Sequence, residues 1–150
     1  MRTFRHSYIV KNHIDTVWDF YTDVKHLEII TPKEIDLKII KTTSYNIVEG
    51  QEIWVSGKII AKTRATWHSK ITYLKPYEYI DEMLRGPFKK WRHLHKFQSI
   101  NGKQTEVIDE IGFELPYGKL GKLFEGYAYK QLQKIFEHRK ISTTKALNDN

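Results

Sequence analysis

The stretch GPFKKWRHLHKF, residues 86–97, decides how the rest of this 150-residue sequence is interpreted. Gly86 and Pro87 are typical of a turn, and the alternation that follows them is typical of a β-strand. Side chains of a strand point alternately to its two faces, so one face is aromatic and imidazole-rich: Trp91, His93, His95 and Phe97. The other face is mostly cationic. Such a strand is better suited to the wall of a ligand cavity than to a fully packed core.

The same two-residue alternation continues on both sides of this strand. It predicts seven strands, separated by turn residues: Phe4–Val10, Leu37–Thr43, Gln51–Ile60, Thr63–Tyr73, Tyr79–Arg85, Phe88–Ser99 and Gln104–Glu114. The pair Asn101-Gly102 is the clearest hairpin signal in the chain. Short connections of this kind predict an antiparallel sheet whose strands follow the chain order.

Two short helices are predicted between the first strand and the second. Asn12 is an N-cap candidate for a helix whose apolar stripe has helical spacing: Ile14, Val17, Trp18 and Tyr21. Asp23 is the corresponding candidate for a second short helix, which carries Leu27 and Ile30. Thr31-Pro32 ends that helix, because proline disfavours helical geometry in the residue before it.

A long C-terminal helix is predicted from Lys119 to Ile141. At about 1.5 Å per residue it spans roughly 35 Å, enough to cross a whole sheet. Its apolar side chains cover more than half of the circumference, as expected of a helix enclosed by a sheet. Gln131 and Glu125 also fall within or beside this arc, which favours a partly polar interior. The polar segment from Ser142 onward is predicted to fray, which gives one domain at residues 1–143 and a polar tail at 144–150.

Composition narrows the class of protein. At 150 residues the chain is expected to form a single domain with its own core, and the absence of cysteine excludes disulfides, cysteine nucleophiles and thiolate metal sites. Neither a signal peptide nor a membrane span is apparent, so we expect a soluble cytoplasmic protein. The net charge of +7 is scattered along the chain, which predicts a solvated basic surface rather than a specific nucleic-acid site.

Several spaced motifs resemble one superfamily over about residues 4–141. They are the Gly-Pro-Phe, Trp and His-x-His-x-Phe strand at 86–97, then Asp109, then a Leu-Pro-x-Gly-x-Leu-Gly turn at 115–121, and finally Phe136 and Arg139. This pattern resembles the START and birch-pollen-allergen-related superfamily, SRPBCC, and within it a microbial subgroup that is similar to polyketide cyclases or to a small subunit of carbon-monoxide dehydrogenase. The resemblance implies an α+β helix-grip fold, in which a curved seven-stranded antiparallel sheet wraps a long C-terminal helix. It also implies a hydrophobic cavity between sheet and helix, without specifying a reaction.

Three polar residues are the candidates for chemistry in this cavity. His93 and His95 are two apart on one strand, so their side chains point the same way, roughly 7 Å apart. On the next strand Asp109 shares the apolar register of Val107 and Ile111, and the hairpin makes these strands neighbours. An inward carboxylate beside inward imidazoles serves acid/base catalysis, anchors a polar ligand or forms a purely structural network. The residues leave these three alternatives open.

The predicted ligand contacts add aromatic and apolar side chains to this group. Trp67 and Trp91 are the leading candidates, and Met83 offers a pliable apolar surface. The full predicted set is Trp67, Met83, Trp91, His93, His95, Phe97, Asp109, Phe113, Phe124, Tyr127 and Gln131. A metal bound by the His-x-His pair with His6 or His68 is the less favoured alternative, and we predict neither a metal nor a cofactor. No Ser-His-Asp spacing, phosphate-binding loop or zinc motif is present.

The sequence therefore predicts a domain that binds a small hydrophobic or amphipathic molecule, as a carrier or binding protein. A cofactor-free cyclase or dehydratase that uses His93, His95 and Asp109 is one alternative. An accessory subunit of a larger enzyme is another. The oligomeric state is open between a homodimer and a complex with another protein.

Overall fold

The computed structural model describes residues 1–60 and 62–148. Its strands are β1 (Arg2–Val10), β2 (Lys38–Thr42), β3 (Glu52–Ile60), β4 (Thr63–Lys75), β5 (Glu78–Arg85), β6 (Lys90–Ser99) and β7 (Thr105–Glu114). Its α-helices are α1 (Ile14–Thr22) and α2 (Gly118–Leu147), and short 3-10 turns lie at Val24–Leu27 and Lys33–Ile35. This is the predicted α+β order, with strand ends within two residues of the predicted ones.

The seven strands form one sheet in the order β1-β7-β6-β5-β4-β3-β2, with all neighbours antiparallel. Strands β2 to β7 follow the chain order as predicted, because each is joined to the next by a short turn. The expected place of β1 beside β2 is wrong. Strand β1 pairs with β7 over its whole length, since the helical segment between β1 and β2 carries the chain across to the opposite edge.

The first helix begins one residue later than its predicted cap. His13 is the N-cap, and its side chain accepts a hydrogen bond from the backbone N–H of Asp15. Asn12 has another function: its side-chain amide donates to the carbonyl of Leu147, 2.8 Å away, and so joins the two ends of the chain. Asp23 caps the following 3-10 turn as predicted, accepting from the backbone N–H of Lys25.

Helix α2 lies against the sheet through a narrow stripe rather than the wide apolar arc that was predicted. In its first half the buried residues are small, Gly121 and Ala128. A Cβ on Gly121 would clash with the carbonyl oxygen of Pro116, so the helix approaches this turn more closely than a larger residue would allow. The large apolar side chains of this half point away from the sheet and are 45% to 77% exposed: Leu120, Leu123, Phe124 and Tyr127.

The predicted fraying from Ser142 onward is wrong for the residues that can be described. The helix continues to Leu147, whose side chain is buried against Tyr8, Val10 and other members of an apolar cluster. Residues Thr144–Leu147 of the predicted tail are therefore part of the fold, and residues 149–150 lie outside the described chain. Within the described residues, no helix has both the length and the apolar character needed to span a membrane.

Candidate ligand cavity

A cavity of about 190 Å³ lies between the inner face of the sheet, the 3-10 segment and the second half of α2. Its wall is mostly apolar, and the side chains come from every one of these elements: Val24, Leu27, Ile30, Ile35, Val55, Ile71, Leu132 and Phe136 are examples. A cavity of roughly 150 Å³ lined by apolar side chains holds one benzene molecule. The present cavity therefore has room for about one ring with a short substituent.

The Gly86-Pro87 turn shapes one end of the cavity. Trp67, Met83 and Trp91 all line it, on three adjacent strands. Gly86 packs against the first two: a Cβ at this position would come within 2.6 Å of the Cβ of Trp67 and 2.5 Å of the sulfur of Met83. A larger residue at the turn would displace two side chains that form the cavity wall.

The polar group beside the cavity is made of two carboxylate–imidazole pairs. Nε2 of His93 lies 2.7 Å from Oδ1 of Asp109, and Nε2 of His95 lies 2.6 Å from Oδ2 of Asp81. In the sheet register, however, His95 is opposite Asp109 and His93 is opposite Asp81. Each imidazole thus bonds the carboxylate diagonal to it. Directly opposite residues lie only about 5 Å apart at Cβ, whereas the far nitrogen of an imidazole reaches the diagonal neighbour.

The two imidazole rings are stacked rather than merely neighbouring. The ring centres of His93 and His95 are 3.5 Å apart, and the ring of Tyr79 stacks on the other face of His95 at 4.1 Å. The expected separation of roughly 7 Å between the two side chains is therefore wrong, because the rings lean toward each other along the strand. The stack holds both imidazoles in fixed orientations.

Burial and hydrogen bonding determine the charge of this group. Burial, together with the charge of His93, lowers the pKa of His95 to about 4, although the bond to Asp81 opposes the shift. His95 is consequently neutral at pH 7. Burial raises the pKa of both carboxyls, but the bond from His95 outweighs it at Asp81, and the charge of Arg139 together with the bond from His93 outweighs it at Asp109. Both carboxyl groups have lowered pKa values and are ionised at pH 7.

Arg139 is the cation of the cavity. Its side chain is 8% exposed, lines the cavity and projects from the buried stripe of α2. The guanidinium carbon lies 5.0 Å from the ring centre of Tyr21 and 5.5 Å from that of Phe136. Burial disfavours its charge, but the charge of Asp109 more than compensates and raises its pKa. Arg139 is therefore a permanent positive charge inside the fold.

A chain of hydroxyl groups lies next to Arg139. The phenol oxygens of Tyr8 and Tyr21 are hydrogen-bonded to each other, and that of Tyr21 is 2.6 Å from Oγ1 of Thr143. Burial raises the pKa of both phenols, so they remain protonated and act as hydrogen-bond donors. These three residues connect β1, α1 and α2, which closes the fold behind the polar group.

The structure brings together part of the predicted ligand set. Trp67, Met83, Trp91 and His95 line the cavity, while His93 and Asp109 lie directly behind His95. The other predicted contacts lie elsewhere in relation to the cavity that the described residues define. Phe97 and Phe113 belong to the two apolar clusters of the core, Phe124 and Tyr127 are exposed, and Gln131 is half-buried on α2.

Two residues of the site were not predicted from the sequence, although the sequence carries a signal for each. Asp81 alternates with Tyr79 and Met83 on one face of β5, so the two-residue period places it with the inward Met83. Arg139 lies four, three and four residues apart from its buried neighbours along Leu132, Phe136, Arg139 and Thr143, the spacing of a helix face. A charged residue within such a stripe is the pattern that would have revealed it.

One group of residues could hold a metal ion. Among the described residues, Asp81, His93 and His95 each offer a ligand atom within 4.8 Å of the others. The partners considered from the sequence lie apart from it: His68 bonds Glu52 at 2.8 Å and stacks on Trp54, and His6 lies 3.7 Å from Glu137. A metal at the group would have to replace the hydrogen bond between His95 and Asp81. The expectation of no metal site stays a prediction.

The sheet order, the long C-terminal helix and the cavity between them define the helix-grip fold of the START and SRPBCC superfamily. Solved structures with the same fold confirm this class. A protein of Thermus thermophilus has a TM-score of 0.77 at 14% identity, covering 97% of each chain. A START superfamily protein of Mycobacterium smegmatis has a TM-score of 0.75 at 12% identity, covering 97% of this chain and 96% of its own.

A functional protein is also among these neighbours. The Zhui aromatase/cyclase of Streptomyces sp. R1128 has a TM-score of 0.68 at 15% identity, covering 97% of this chain and 90% of its own. At the sequence level the chain matches no family model and no curated protein. At these identities the likeness shows the fold alone.

Proposed function

We propose that this protein binds a small hydrophobic or amphipathic molecule with a polar end, as a binding or carrier protein. The observation that supports this is the combination of an apolar cavity of about 190 Å³ with a fixed polar group at one side of it. Ligand sites are typically concave and mostly apolar, with a few convergent polar groups that orient the ligand. The polar end of the ligand is expected to face His95, Asp81 and Arg139.

Binding is favoured over catalysis by the state of the imidazole that reaches the cavity. A general base works best with a pKa near the working pH. His95 has a pKa of about 4, and its Nε2 is already bonded to Asp81, so at pH 7 it is a weak base with one nitrogen occupied. The second imidazole, His93, lies between two carboxylates rather than facing the cavity.

Titration with an apolar fluorescent probe tests the proposal. We expect about one probe per chain, with quenching of tryptophan emission, because Trp67 and Trp91 line the cavity. Trp67→Ala should weaken probe binding by about tenfold, on the scale of a lost aromatic contact. Trp54→Ala is the matched control, since Trp54 is on the neighbouring strand but stacks on His68, away from this cavity. Equal effects of the two substitutions, or no probe binding, would refute the proposal.

A cofactor-free cyclase or dehydratase remains the second candidate. One observation favours it: His95 lines the cavity while its ring is held by a carboxylate, an arrangement that acid/base sites use. Mass spectrometry of the molecule that copurifies with the native protein, before and after prolonged incubation, separates the candidates. A carrier returns the molecule unchanged, whereas an enzyme converts it, and His95→Gln would abolish the conversion.

A further inference from the structure

We propose that the ligand of this cavity is an organic acid and that Arg139 binds its carboxylate. The inference rests on the proposed function and specifies the class of ligand. It begins from the burial of Arg139, whose side chain is 8% exposed and lines the cavity. A guanidinium has five N–H donors and no acceptor, and it is charged at every physiological pH.

Those donors are not used by the protein. Within residues 1–60 and 62–148, Arg139 makes no hydrogen bond or ion pair, and its Nε is fully buried without a partner. The other buried charges nearby are paired: Asp81 accepts from His95 and from Trp91, and Asp109 accepts from His93. Burial of an unpaired charge costs several kcal/mol, so proteins usually pair such groups. Arg139 departs from this rule at the wall of a cavity.

Two features of the surroundings provide partial compensation for the charge without satisfying its hydrogen-bonding capacity. The carboxylate of Asp109 is near enough to raise the pKa of Arg139 but makes no ion pair with it. The rings of Tyr21 and Phe136 lie 5.0 Å and 5.5 Å from the guanidinium carbon, within the range of cation–π contact. The guanidinium thus keeps its charge and orientation while its N–H groups remain available. A carboxylate is the planar acceptor that such a fork binds through two parallel hydrogen bonds.

Tyr79 provides a second donor on the cavity wall. Its side chain is buried and lines the cavity, and burial raises the pKa of the phenol, so the hydroxyl keeps its proton. Apart from these two residues, the wall is predominantly apolar. The volume of about 190 Å³ then limits the acid to one ring, or a chain of similar size, with a short carboxyl arm.

The experiment compares acids with their uncharged analogues. Phenylacetate and 3-phenylpropionate, each with its primary amide, are titrated into the full chain by calorimetry at pH 7. The amides match the acids in size and shape but lack the charge. We expect each acid to bind at least about tenfold more tightly than its amide, because a bidentate charge-assisted pair adds roughly 1.5–3 kcal/mol. In Arg139→Gln this preference should disappear, while amide affinity changes by less than about threefold.

Lys134→Gln is the control for net charge, because Lys134 lies on the exposed side of the same helix. It should retain the full preference for acids. Side-chain NMR of the wild-type protein gives a readout that needs no variant: phenylacetate should shift the Nε–H resonance of Arg139, and phenylacetamide should not. This measurement keeps the proposal testable if Arg139→Gln fails to fold.

The outcomes separate this inference from the proposed function. Equal affinities for acids and amides, or an acid preference that survives in Arg139→Gln, would overturn the inference and leave the cavity a general apolar site. Binding of the fluorescent probe with no binding of either acid would have the same meaning. Failure of the probe itself to bind would instead refute the proposed function, and the inference with it.

Discussion

His93 and Asp109 form a buried pair in which Nε2 of the imidazole lies 2.7 Å from a carboxylate oxygen, with side chains 5% and 1% exposed. The pair joins β6 to β7 across the diagonal of the sheet, directly behind the cavity. Because neither partner has access to solvent, the loss of one leaves the other with an unmet hydrogen-bonding requirement. This relationship makes the polar group a structural element of the fold, whatever its effect on a ligand.

Asp109→Asn is therefore expected to destabilise the protein. The substitution keeps the size of the side chain but removes the charge that pairs with His93 and that balances Arg139. We expect the free energy of unfolding to fall by about 1–3 kcal/mol in urea denaturation at pH 7. Glu110→Gln is the control, because Glu110 forms an ion pair with Arg5 in which both side chains are at least 44% exposed. It should cost less than about 0.5 kcal/mol, and a similar loss in both variants would contradict the prediction.

His95 predicts a specific loss of stability on acidification. Its pKa is about 4 in the folded protein, against 6.5 for a free histidine, so the unfolded chain takes up a proton before the folded one does. The stabilisation is complete above pH 6.5 and is lost as the pH falls toward 4. Between about pH 7 and pH 5.5, His95 alone should lower the free energy of unfolding by roughly 1 kcal/mol.

The test compares the wild-type protein with His95→Gln over this pH range. A glutamine amide can still donate to Asp81 but does not titrate. The difference in unfolding free energy between the two proteins should therefore shrink by roughly 1 kcal/mol on going from about pH 7 to pH 5.5. A constant difference would show that His95 keeps an ordinary pKa in the folded state.

Much of this fold could be predicted from sequence because strands and helices leave local periodic signals. Alternation located the seven strands, and the hairpin at Asn101-Gly102 correctly placed Asp109 beside His93. The signal is weaker where tertiary packing decides. Nothing local distinguishes the pairing of β1 with β7 from a pairing with β2, and a wide apolar arc does not reveal that Leu123 is exposed whereas Ala128 is buried.

The site was harder to predict for a related reason. Alternation placed His93, His95 and Asp109 on one face, but the choice of diagonal partners depends on how far each side chain reaches. Asp81 was overlooked because it lies in an otherwise apolar register between Tyr79 and Met83. Arg139 on α2 meets the polar group of the sheet only through the packing of elements distant in sequence.

The hydroxyl chain behind the cavity gives a further prediction. Tyr21→Phe removes the group that bonds both Tyr8 and Thr143, and leaves two buried hydroxyls each with one partner fewer. We expect a loss of about 1–2 kcal/mol in the free energy of unfolding. Tyr45→Phe provides the matched control, because Tyr45 is 61% exposed. If the two variants unfold at the same urea concentration, the hydroxyl chain makes no net contribution.

The end of α2 provides the last prediction. Leu147 is 6% exposed and packs in the apolar cluster that contains Tyr8, Val10 and Val17, close to the contact of Asn12 with the Leu147 carbonyl. Leu147→Ala should cost about 2–5 kcal/mol, because a buried leucine loses both its transfer energy and its packing contacts. Ile141→Ala, on an exposed position of the same helix, should change stability by less than about 0.5 kcal/mol. Thermal and urea unfolding of both variants provide the measurement. A small effect of Leu147→Ala would mean that the last turns of the helix contribute little to the core, and that the domain ends near residue 143 after all.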